Sequence, residues 1–344
     1  MDYQIKFNNG KNIKDYGKPY FIAEVNSSHF GDTETAKKMI QSAKESGADC
    51  VKFQSWSSET LYSKTFYEKN PIAKRFVKKF SFSEDDLINL SKFCNEIDID
   101  FASTPYSEDE TTFLIDECKV PFIKIASMEI NNHSYLEFIG KTNSAIILST
   151  GMSTYDEIYE AVKVIQSTGN TNLCVLHCVS VYPASPESIN LNNIIELRRS
   201  LINVPIGFSD HTIGIEVPMG AVALGSSVIE KHFTLDNTKI GMDNQMASMP
   251  SDFSKMVNSC NIVNSSLGIH SRTLSAEEKN QRESMRRSIV SAKFIPSGKL
   301  ISKEDLTFKR PGDGIPPTDI SKIINSKTKK DIEEDQIIYY SDFI

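Results

Sequence analysis

Basic and hydroxyl side chains recur at the ends of short apolar segments of this sequence. Two lysines, Lys52 and Lys124, lie inside such segments with apolar neighbours on both sides. The hydroxyl residues near the ends of other segments are Thr104, Ser127, Ser149, Ser180 and Ser209. A buried lysine is energetically costly unless an anion meets it. Lysines and hydroxyls brought together would therefore form a pocket for a small, doubly anionic ligand.

Two histidines end neighbouring apolar segments. His211 and His232 could reach one cation, which would prefer oxygen and imidazole ligands and leave positions open for substrate and water. Two histidines alone do not establish a metal site, because a hydrogen-bonded structural role is the alternative for each of them. The residue types leave both interpretations open.

Two glutamates are candidates for acid–base chemistry. Glu24 and Glu129 each follow the end of an apolar segment, where a carboxylate can exchange a proton with a bound ligand. The alternative for either residue is a salt bridge to a neighbouring lysine. Asp210, which precedes His211, suits a backbone turn as well as it suits chemistry.

The apolar segments alternate with stretches of helical periodicity. Eight of them are short and end in small or polar residues, at positions 20–25, 50–55, 99–105, 121–127, 145–151, 173–179, 205–211 and 227–233. Apolar residues recur every three or four positions in the intervening segments, such as 32–47, 84–96, 107–118 and 154–167. Eight strand–helix repeats within about 240 residues predict an α/β fold, a (β/α)8 TIM barrel. An open doubly wound sheet would give the same alternation with fewer strands.

Alternation within the strands predicts which side chains face the barrel interior. Residues two apart share a face, and the outer face must be apolar to meet a helix. On the second predicted strand this rule points Lys52 and Gln54 inward. On the eighth it points Glu230 and His232 inward and leaves Lys231 as a charged residue on the apolar side.

The two ends of the chain do not follow the strand–helix alternation of the repeats. Residues 1–19, with Asn8, Asn9 and Gly10 between apolar positions, predict a hairpin outside the barrel count. The barrel domain would cover 1–265, followed by a charged connector over 266–285. Residues 286–344 alternate short apolar pairs with turn signals, which predicts a small, mostly β domain.

Composition excludes several classes of protein. The 344 residues are 39% hydrophobic and 24% charged, which is typical of a chain that folds in water. The net charge of −7, without a block of Lys and Arg, argues against a nucleic-acid partner. No apolar run approaches the roughly 20 residues of a membrane span, and the start lacks the pattern of a secretory signal. We therefore expect no membrane partner and a cytoplasmic location, and we interpret the six scattered cysteines as reduced, buried thiols.

A series of motifs occurs in the order and spacing of one enzyme family. The motifs are IAE at 22–24, HFG at 29–31, GADCVKFQ at 47–54, STP at 103–105, KIAS at 124–127, LSTGM at 148–152, HCVSVYP at 177–183, GFSDH at 207–211 and VIEKHF at 228–233. With these motifs the chain resembles the sialic acid synthases, a family that includes legionaminic and pseudaminic acid synthases. Residues 286–344 look like the antifreeze-like (SAF) domain that ends these enzymes.

The resemblance implies a reaction and a metal. Phosphoenolpyruvate would condense with an open-chain N-acylated amino sugar and water, giving a nine-carbon 2-keto acid and phosphate. His211 and His232 would bind a divalent ion, manganese before magnesium or cobalt. Glu24, Lys52 and Glu129 would carry the catalysis.

The resemblance also implies roles in substrate binding. Phosphoenolpyruvate would be held by Lys52, Thr104, Lys124, Ser127, Ser149, Ser180 and Ser209. The sugar would be faced by Gln54, Glu129, Tyr182, Asp243 and Arg287. In this family the small domain of one subunit supplies the arginine to the barrel of the other, so a domain-swapped homodimer is implied, with Arg286 as the near alternative to Arg287.

Departures from the family pattern leave the sugar open. The usual Asn before the first motif's histidine is Ser28, the Asn often found after the sixth strand is Ser180, and the common Gly-Pro-Asp-His is GMDN at 241–244. These positions flank the sugar, so N-acetylmannosamine and 2,4-diacetamido-2,4,6-trideoxyhexoses all stay candidates. The alternative functions are a related barrel synthase making a seven- or eight-carbon keto acid, a metal-dependent hydrolase or lyase, and a non-catalytic sugar-binding protein.

Overall fold

Eight parallel strands form a nearly closed barrel. The computed structural model describes residues 3–269 and 271–344. Two short strands, β1 (Gln4–Lys6) and β2 (Asn12–Lys14), precede the barrel. The barrel strands are β3 (Tyr20–Glu24), β4 (Cys50–Ser55), β5 (Asp100–Pro105), β6 (Ile123–Ile125), β7 (Ile146–Ser149), β8 (Leu173–Cys178), β9 (Ile206–Asp210) and β10 (Val228–His232). Their order in the sheet is β5-β4-β3-β10-β9-β8-β7-β6.

The strand order confirms the predicted barrel and excludes the open doubly wound sheet. Each of the eight predicted segments contains one strand, and β3, the first, pairs in parallel with β10, the last, with Tyr20 opposite Val228. A first strand beside the last is the arrangement of a sheet closing on itself. The strand predicted at 121–127 is the shortest, because the chain turns into a 3-10 helix at Ser127–Glu129.

Helices follow the strands and cover the outside of the barrel. They are α1 (Thr33–Glu45), α2 (Lys64–Lys69), α3 (Pro71–Phe80), α4 (Glu84–Glu96), α5 (Glu108–Asp116), α6 (His133–Lys141), α7 (Tyr155–Ser167), α8 (Pro186–Ile189), α9 (Asn192–Ser200), α10 (Glu216–Ala223) and α11 (Pro250–Leu267). The four helices predicted at 32–47, 84–96, 107–118 and 154–167 are present as α1, α4, α5 and α7. Each begins after a residue whose side chain accepts a backbone N–H, namely Asp32, Ser83, Ser107 and Thr154.

Alternating side chains divide the apolar residues of the barrel into two cores. The outward-facing residues of the strands, such as Val51, Phe53 and Ile229, pack with the helices in the larger core. The inward-facing residues near the strand starts, such as Ile22 and Cys50, form a separate core inside the barrel. This separation is the period-two pattern of strands covered on both faces.

The amino-terminal hairpin closes one end of the barrel. As predicted, β1 and β2 pair in antiparallel fashion outside the barrel sheet; of the predicted range, residues 1 and 2 lie outside the described residues. Ile5, Phe7 and Ile13 are buried in the inner core. The Phe7 ring lies 5.1 Å from the Tyr20 ring and 4.8 Å from the Phe122 ring, measured between centroids. The hairpin therefore covers this end with apolar side chains, which leaves the opposite, carboxyl-terminal end for the predicted site residues.

Residues 269–344 form a second compact unit. Its elements are α12 (Ala276–Met285), β11 (Ser288–Ser291), β12 (Leu306–Lys309) and α13 (Ile320–Ile323), and β11 pairs with β12 in antiparallel fashion. Its core is mainly isoleucine: Ile289, Ile295, Ile301, Ile315, Ile323, Ile332 and Ile338, with Phe343. Within the predicted connector 266–285, of which residue 270 lies outside the description, the structure has the last residues of α11 and the whole of α12.

Two further predictions concern membranes and cysteines. Among the described residues, no helix is both long and apolar enough to cross a membrane. All six cysteines are buried and none forms a disulfide, as the scattered spacing predicted.

Candidate active site

The carboxyl-terminal ends of the barrel strands surround a cavity of about 300 Å³. Most of the site residues predicted from the sequence line it. They are Glu24, Lys52, Gln54, Thr104, Lys124, Ser127, Ser149, Ser180, Tyr182, Ser209, His211, His232 and Asp243. The strand alternation explains this convergence, because inward-facing residues at the ends of eight tilted strands share one small space.

Lys52 is held by two carboxylates and a hydroxyl. Its ammonium forms an ion pair with Glu24 Oε2 and donates to Thr104 Oγ1 at 3.0 Å. Glu230 Oε2 lies 3.8 Å from the same nitrogen. The Lys52 side chain is 3% exposed, so these contacts replace nearly all of its water.

Lys124 makes a second set of contacts on the opposite side of Glu230. Its Nζ donates to Ser149 Oγ at 2.7 Å and lies 3.7 Å from Glu230 Oε1. Ser209 Oγ donates to the same Glu230 oxygen at 3.1 Å. Glu230 therefore bridges the two lysines.

Burial and charge move the pKa values of these groups in different directions. Burial raises the pKa of Glu24, and the adjacent Lys52 offsets this only in part. Burial lowers the pKa of Lys124. Burial alone would lower the pKa of Lys52, but the Glu230 and Glu24 carboxylates more than compensate and raise it. Burial alone would raise the pKa of Glu230, but Lys124 and Lys52 lower it overall.

Glu230 is a site residue to which the sequence analysis gave no role. Strand alternation placed it inward correctly, and that was the signal that could have found it. The two lysines were expected to await an anionic ligand, yet the anions that meet them here are carboxylates of the chain itself. Two ammonium groups and two carboxylates form a balanced cluster, which positions the lysines before any ligand binds.

The two predicted metal histidines lie side by side at the edge of the cavity. The ring centroids of His211 and His232 are 5.3 Å apart. His211 Nδ1 lies 2.7 Å from the backbone oxygen of Val179, which makes Nδ1 the protonated nitrogen and leaves Nε2 as an acceptor. Burial and nearby positive charge hold the pKa of His232 well below its usual range. Burial alone would lower the pKa of His211 as well, but its contact with Cys178 raises that pKa overall. In the neutral form both imidazoles offer a nitrogen lone pair that suits a divalent metal ion.

The protein itself offers only part of a metal coordination shell. Within residues 3–269 and 271–344, no group of three or more His, Cys, Asp and Glu side chains is arranged to hold a metal ion. Any ion bound by His211 and His232 would take its other ligands from substrate and water. Cys178, which lines the same wall, has its Sγ 3.9 Å from His211 Nδ1.

A chain of hydrogen bonds runs along the wall formed by β3, β4 and β5. Tyr106 donates its hydroxyl to Gln54 Oε1 at 2.9 Å, and Gln54 Nε2 donates to Glu24 Oε1 at 3.0 Å. The backbone N–H of Asn26 donates to the same Glu24 oxygen at 3.0 Å. Asn26 and Tyr106 both line the cavity, and neither was predicted from the sequence to be a site residue.

Tyr182 and Asp243 approach the cavity from loops that follow β8 and β10. The Tyr182 ring lies 4.2 Å from the His211 ring between centroids and is half exposed. Asp243 accepts a hydrogen bond from Asn26 Nδ2. These loops form the outer part of the cavity, away from the lysines.

One predicted site residue of the barrel, Glu129, is not brought to the cavity, and another, Arg287, belongs to the second unit. Glu129 ends the 3-10 helix after β6, accepts from Asn132 Nδ2 at 2.9 Å and is not among the residues that line the cavity. The 3-10 turn replaces the extended strand end on which its prediction relied. Arg287 belongs to the unit 269–344, where it is exposed and donates from Nη1 to Phe308 O at 3.3 Å. The predicted roles of both residues stay predictions.

Lys231, the charged residue on the apolar face of β10, has a structural partner. Its Nζ lies 2.5 Å from Asp210 Oδ2 and donates to Thr212 O at 2.7 Å. Asp210 Oδ1 accepts from the backbone N–H of Thr212 at 2.9 Å. Asp210 therefore holds the turn around His211, one of the two roles that its sequence position suggested.

Comparison with known proteins agrees with this geometry. The sequence matches the NeuB family over residues 39–272 and the SAF domain over residues 286–344. The chain belongs to the NeuB family. The predicted family resemblance and the C-terminal SAF domain are thereby confirmed.

The relatives of this NeuB family member match it over almost their whole length. It is 40% identical to an uncharacterized protein of Methanocaldococcus jannaschii, covering 95% of this chain and 96% of that one. It is 38% identical to the N,N'-diacetyllegionaminic acid synthase of Legionella pneumophila, covering 90% of each. Among solved structures, the N-acetylneuraminic acid (sialic acid) synthetase of Leptospira borgpetersenii in complex with citrate is 32% identical, with a TM-score of 0.75, and covers 82% of this chain and 95% of that one.

Proposed function

We propose that this protein condenses phosphoenolpyruvate with the open-chain form of an N-acylated amino sugar and water. The products would be a nine-carbon 2-keto acid of the sialic, legionaminic or pseudaminic type and phosphate. The observation that carries this proposal is the cavity in which buried Lys52 and Lys124 lie beside His211 and His232. Similarity to the legionaminic acid and sialic acid synthases over most of the chain supports it.

The lysines and hydroxyls suit phosphoenolpyruvate. Its phosphate and carboxylate accept charge-assisted hydrogen bonds, which gain strength where water is excluded. Lys52 and Lys124 are both buried and already ordered by Glu24 and Glu230. The hydroxyl donors around them are Thr104, Ser127, Ser149, Ser180 and Ser209.

A divalent ion at His211 and His232 completes the proposal, with manganese as the first choice and magnesium and cobalt as alternatives. When bound, the ion would add positive charge that the balanced lysine–carboxylate cluster lacks and would act as a Lewis acid on the sugar aldehyde oxygen. Tyr182, whose ring lies 4.2 Å from the His211 ring between centroids, would orient the sugar beside that position.

Glu24 is the proposed proton-transfer residue. A new bond forms between C3 of phosphoenolpyruvate and the aldehyde carbon, and the aldehyde oxygen takes up a proton. Water adds to C2, and the C2–O bond to phosphate breaks to leave the 2-keto group, so that the two protons of the water end on the aldehyde oxygen and the phosphate. The water must lose a proton, and a carboxylate with a raised pKa is a better base for this step than an ordinary glutamate. Glu24 also forms an ion pair with Lys52, so the proposed proton acceptor lies next to the proposed anion site.

Two alternative functions fit the geometry less well. A metal-dependent hydrolase or lyase would use the histidines but has no need of two buried lysines with five hydroxyls. A barrel synthase making a seven- or eight-carbon keto acid from a phosphorylated aldose would lack the appended SAF domain, which this chain has. It would also need further basic residues for a second phosphate.

The proposal includes a homodimer in which Arg287 of the partner subunit reaches the sugar. Mixing two inactive variants, Lys124→Ala and Arg287→Ala, tests this. If sites are shared between chains, half of the dimers are mixed and each has one intact site, so about a quarter of wild-type activity should return. No recovery in the mixture, with subunit exchange verified, would contradict the shared site, and the parallel Arg286→Ala mixture decides between the two arginines.

The decisive experiment is phosphate release from phosphoenolpyruvate in the presence of manganese. N-acetylmannosamine and 2,4-diacetamido-2,4,6-trideoxyhexoses of different configuration would be compared, each with and without EDTA. Release that requires one sugar and the metal supports the synthase and identifies its product. Folded protein that releases no phosphate with any of these sugars would contradict the proposal.

A further inference from the structure

Asn26 combines features that neither packing nor the proposed chemistry explains. It follows β3 by two residues, lines the cavity and is 4% exposed. Its φ is 45°, in the left-handed region that residues with side chains rarely adopt. Such strained conformations persist where the surrounding structure holds them, and they concentrate at ligand sites.

The amide of Asn26 is oriented by its neighbours. Nδ2 donates to Asp243 Oδ2, and the backbone N–H donates to Glu24 Oε1 at 3.0 Å. Because a carboxylate accepts hydrogen bonds and does not donate them, the amide nitrogen must face Asp243. The amide oxygen, Oδ1, must then face elsewhere.

Asn26 Oδ1 is buried, and no described residue forms a hydrogen bond with it. Unpaired buried polar atoms are rare in folded proteins, and each calls for an explanation. Because Asn26 belongs to the cavity wall, a donor that arrives with a ligand would provide the missing partner. Phosphoenolpyruvate is not that ligand, because its phosphate and carboxylate only accept hydrogen bonds at neutral pH. The donor has to be an O–H or N–H group.

We propose that Asn26 is a specificity-determining residue for the sugar, with Oδ1 accepting a hydrogen bond from a hydroxyl or an acylamino N–H of that substrate. This inference rests on the proposed function, since the acylated sugar is the reactant that carries such donors. Asn26 at the same time holds Asp243, so one residue joins the loop after β3 to the loop after β10 on the sugar side. A site with a buried acceptor discriminates strongly against an analogue that lacks the donor.

The test compares Asn26→Gly with Asn203→Gly. Glycine tolerates the left-handed backbone, so Asn26→Gly removes the amide without a conformational penalty. Asn203 has a φ of 64° and is exposed outside the cavity, which makes it a matched control. We expect Asn26→Gly to raise the KM for the sugar by at least about tenfold, with the KM for phosphoenolpyruvate changed less than about twofold. Asn203→Gly should change neither.

Substrate analogues identify the donor. Sugars lacking one hydroxyl, or with the acylamino N–H methylated, should bind more weakly to the wild type. For the analogue that removes the true donor, this penalty should disappear in Asn26→Gly, because the acceptor is already gone. An equal penalty in wild type and variant for every analogue would overturn the assignment.

Calorimetric binding of the sugar, measured beside turnover, separates this inference from the proposed function. A wild type that binds the sugar but releases no phosphate would contradict the synthase and still test Asn26 through the ratio of dissociation constants. A wild type that turns over, with an unchanged sugar KM and dissociation constant in Asn26→Gly, would overturn the inference alone. A wild type that binds none of the sugars would contradict both.

Discussion

The two ends of the barrel interior are built from the same strands and differ in almost every physical property. At the amino-terminal end, Ile22, Cys50 and Phe122 pack with the hairpin residue Phe7 in an apolar core. Two residues further along β3 and β4, the inward positions are Glu24 and Lys52. The first end lowers the free energy of the fold by removing apolar surface from water. The second holds buried charges whose desolvation is compensated by one another and by hydroxyl groups such as that of Ser149.

The residues expected to stabilise the fold and those expected to act in catalysis are therefore separated along the barrel axis by a single step of strand alternation. A substitution at the apolar end should unfold the protein before it affects chemistry. A substitution among the charged residues should abolish catalytic activity while it changes the free energy of unfolding only slightly. The outer face of the strand ends, where Lys231 meets Asp210, provides an intermediate case.

The largest effect is expected for Lys124→Ala. Loss of the cation should reduce phosphate release by about a hundred- to a thousandfold, the scale seen when one preorganised charge-stabilising donor is removed. Because Glu230 keeps Lys52 as a partner, the thermal midpoint should stay within a few degrees of the wild type. Lys141→Ala, on the exposed face of α6, is the control and should keep full activity. Near-normal turnover in Lys124→Ala would show that this end is not the anion site.

The next-largest effect is expected for Phe7→Ala at the apolar end, where the substitution should lower the free energy of unfolding. Phe7 is 1% exposed and touches Tyr20 and Phe122, so truncation leaves a cavity and should lower the free energy of unfolding by about 3–5 kcal/mol. Urea denaturation measures this change. Turnover per folded molecule, measured well below the unfolding transition, should match the wild type. A loss of activity as large as that in Lys124→Ala would refute the separation of the two ends.

Lys231→Met tests the ion pair between Lys231 and Asp210 on the outer face of the strand ends. It leaves Asp210 buried without its cation, and breaking such a pair should cost about 3 kcal/mol of unfolding free energy. The double variant Asp210→Asn with Lys231→Met removes both charges and keeps the oxygen that accepts from Thr212, so it should recover most of that loss. Additive losses in a double-mutant cycle would mean that the ion pair does not couple the two strand ends.

The smallest effect concerns pH. Burial lowers the pKa of His29 to about 4, from 6.5, and its Nδ1 accepts the backbone N–H of Gly31 at 3.0 Å. A group whose pKa is depressed by folding contributes stability that is complete above the unfolded pKa and is lost as the pH falls through the folded one. Between pH 7 and 4.5 this amounts to about 2 kcal/mol.

The control for His29 is a histidine that folding leaves exposed. His29→Gln should flatten the decline of unfolding free energy between pH 7 and 4.5, whereas His133→Gln should leave the decline unchanged. The quantity to compare is the slope, since His29 also stacks on Phe82 at 4.0 Å and its replacement lowers stability at every pH. Parallel slopes in wild type and His29→Gln would assign the acid sensitivity to other groups.

Much of the barrel was predictable because its strands and helices follow short-range rules. The eight strands, four named helices and the inward direction of Lys52, Gln54 and Glu230 all come from periodicities of two and three to four residues. Glu129 departs from its prediction because the chain leaves the extended conformation at Ser127. The direction of its side chain then depends on a local turn that strand periodicity does not describe.

Periodicity and motifs, which are local properties of the chain, were enough to predict the architecture, the SAF domain and the residue types at the strand ends. Which of these side chains contact one another depends on the folded barrel. Glu230 bridges Lys52 and Lys124 across three strands, and Asn26 pairs with Asp243, 217 residues away. Such contacts depend on how the barrel closes, and closure brings together residues whose separation along the chain carries no signal of their proximity.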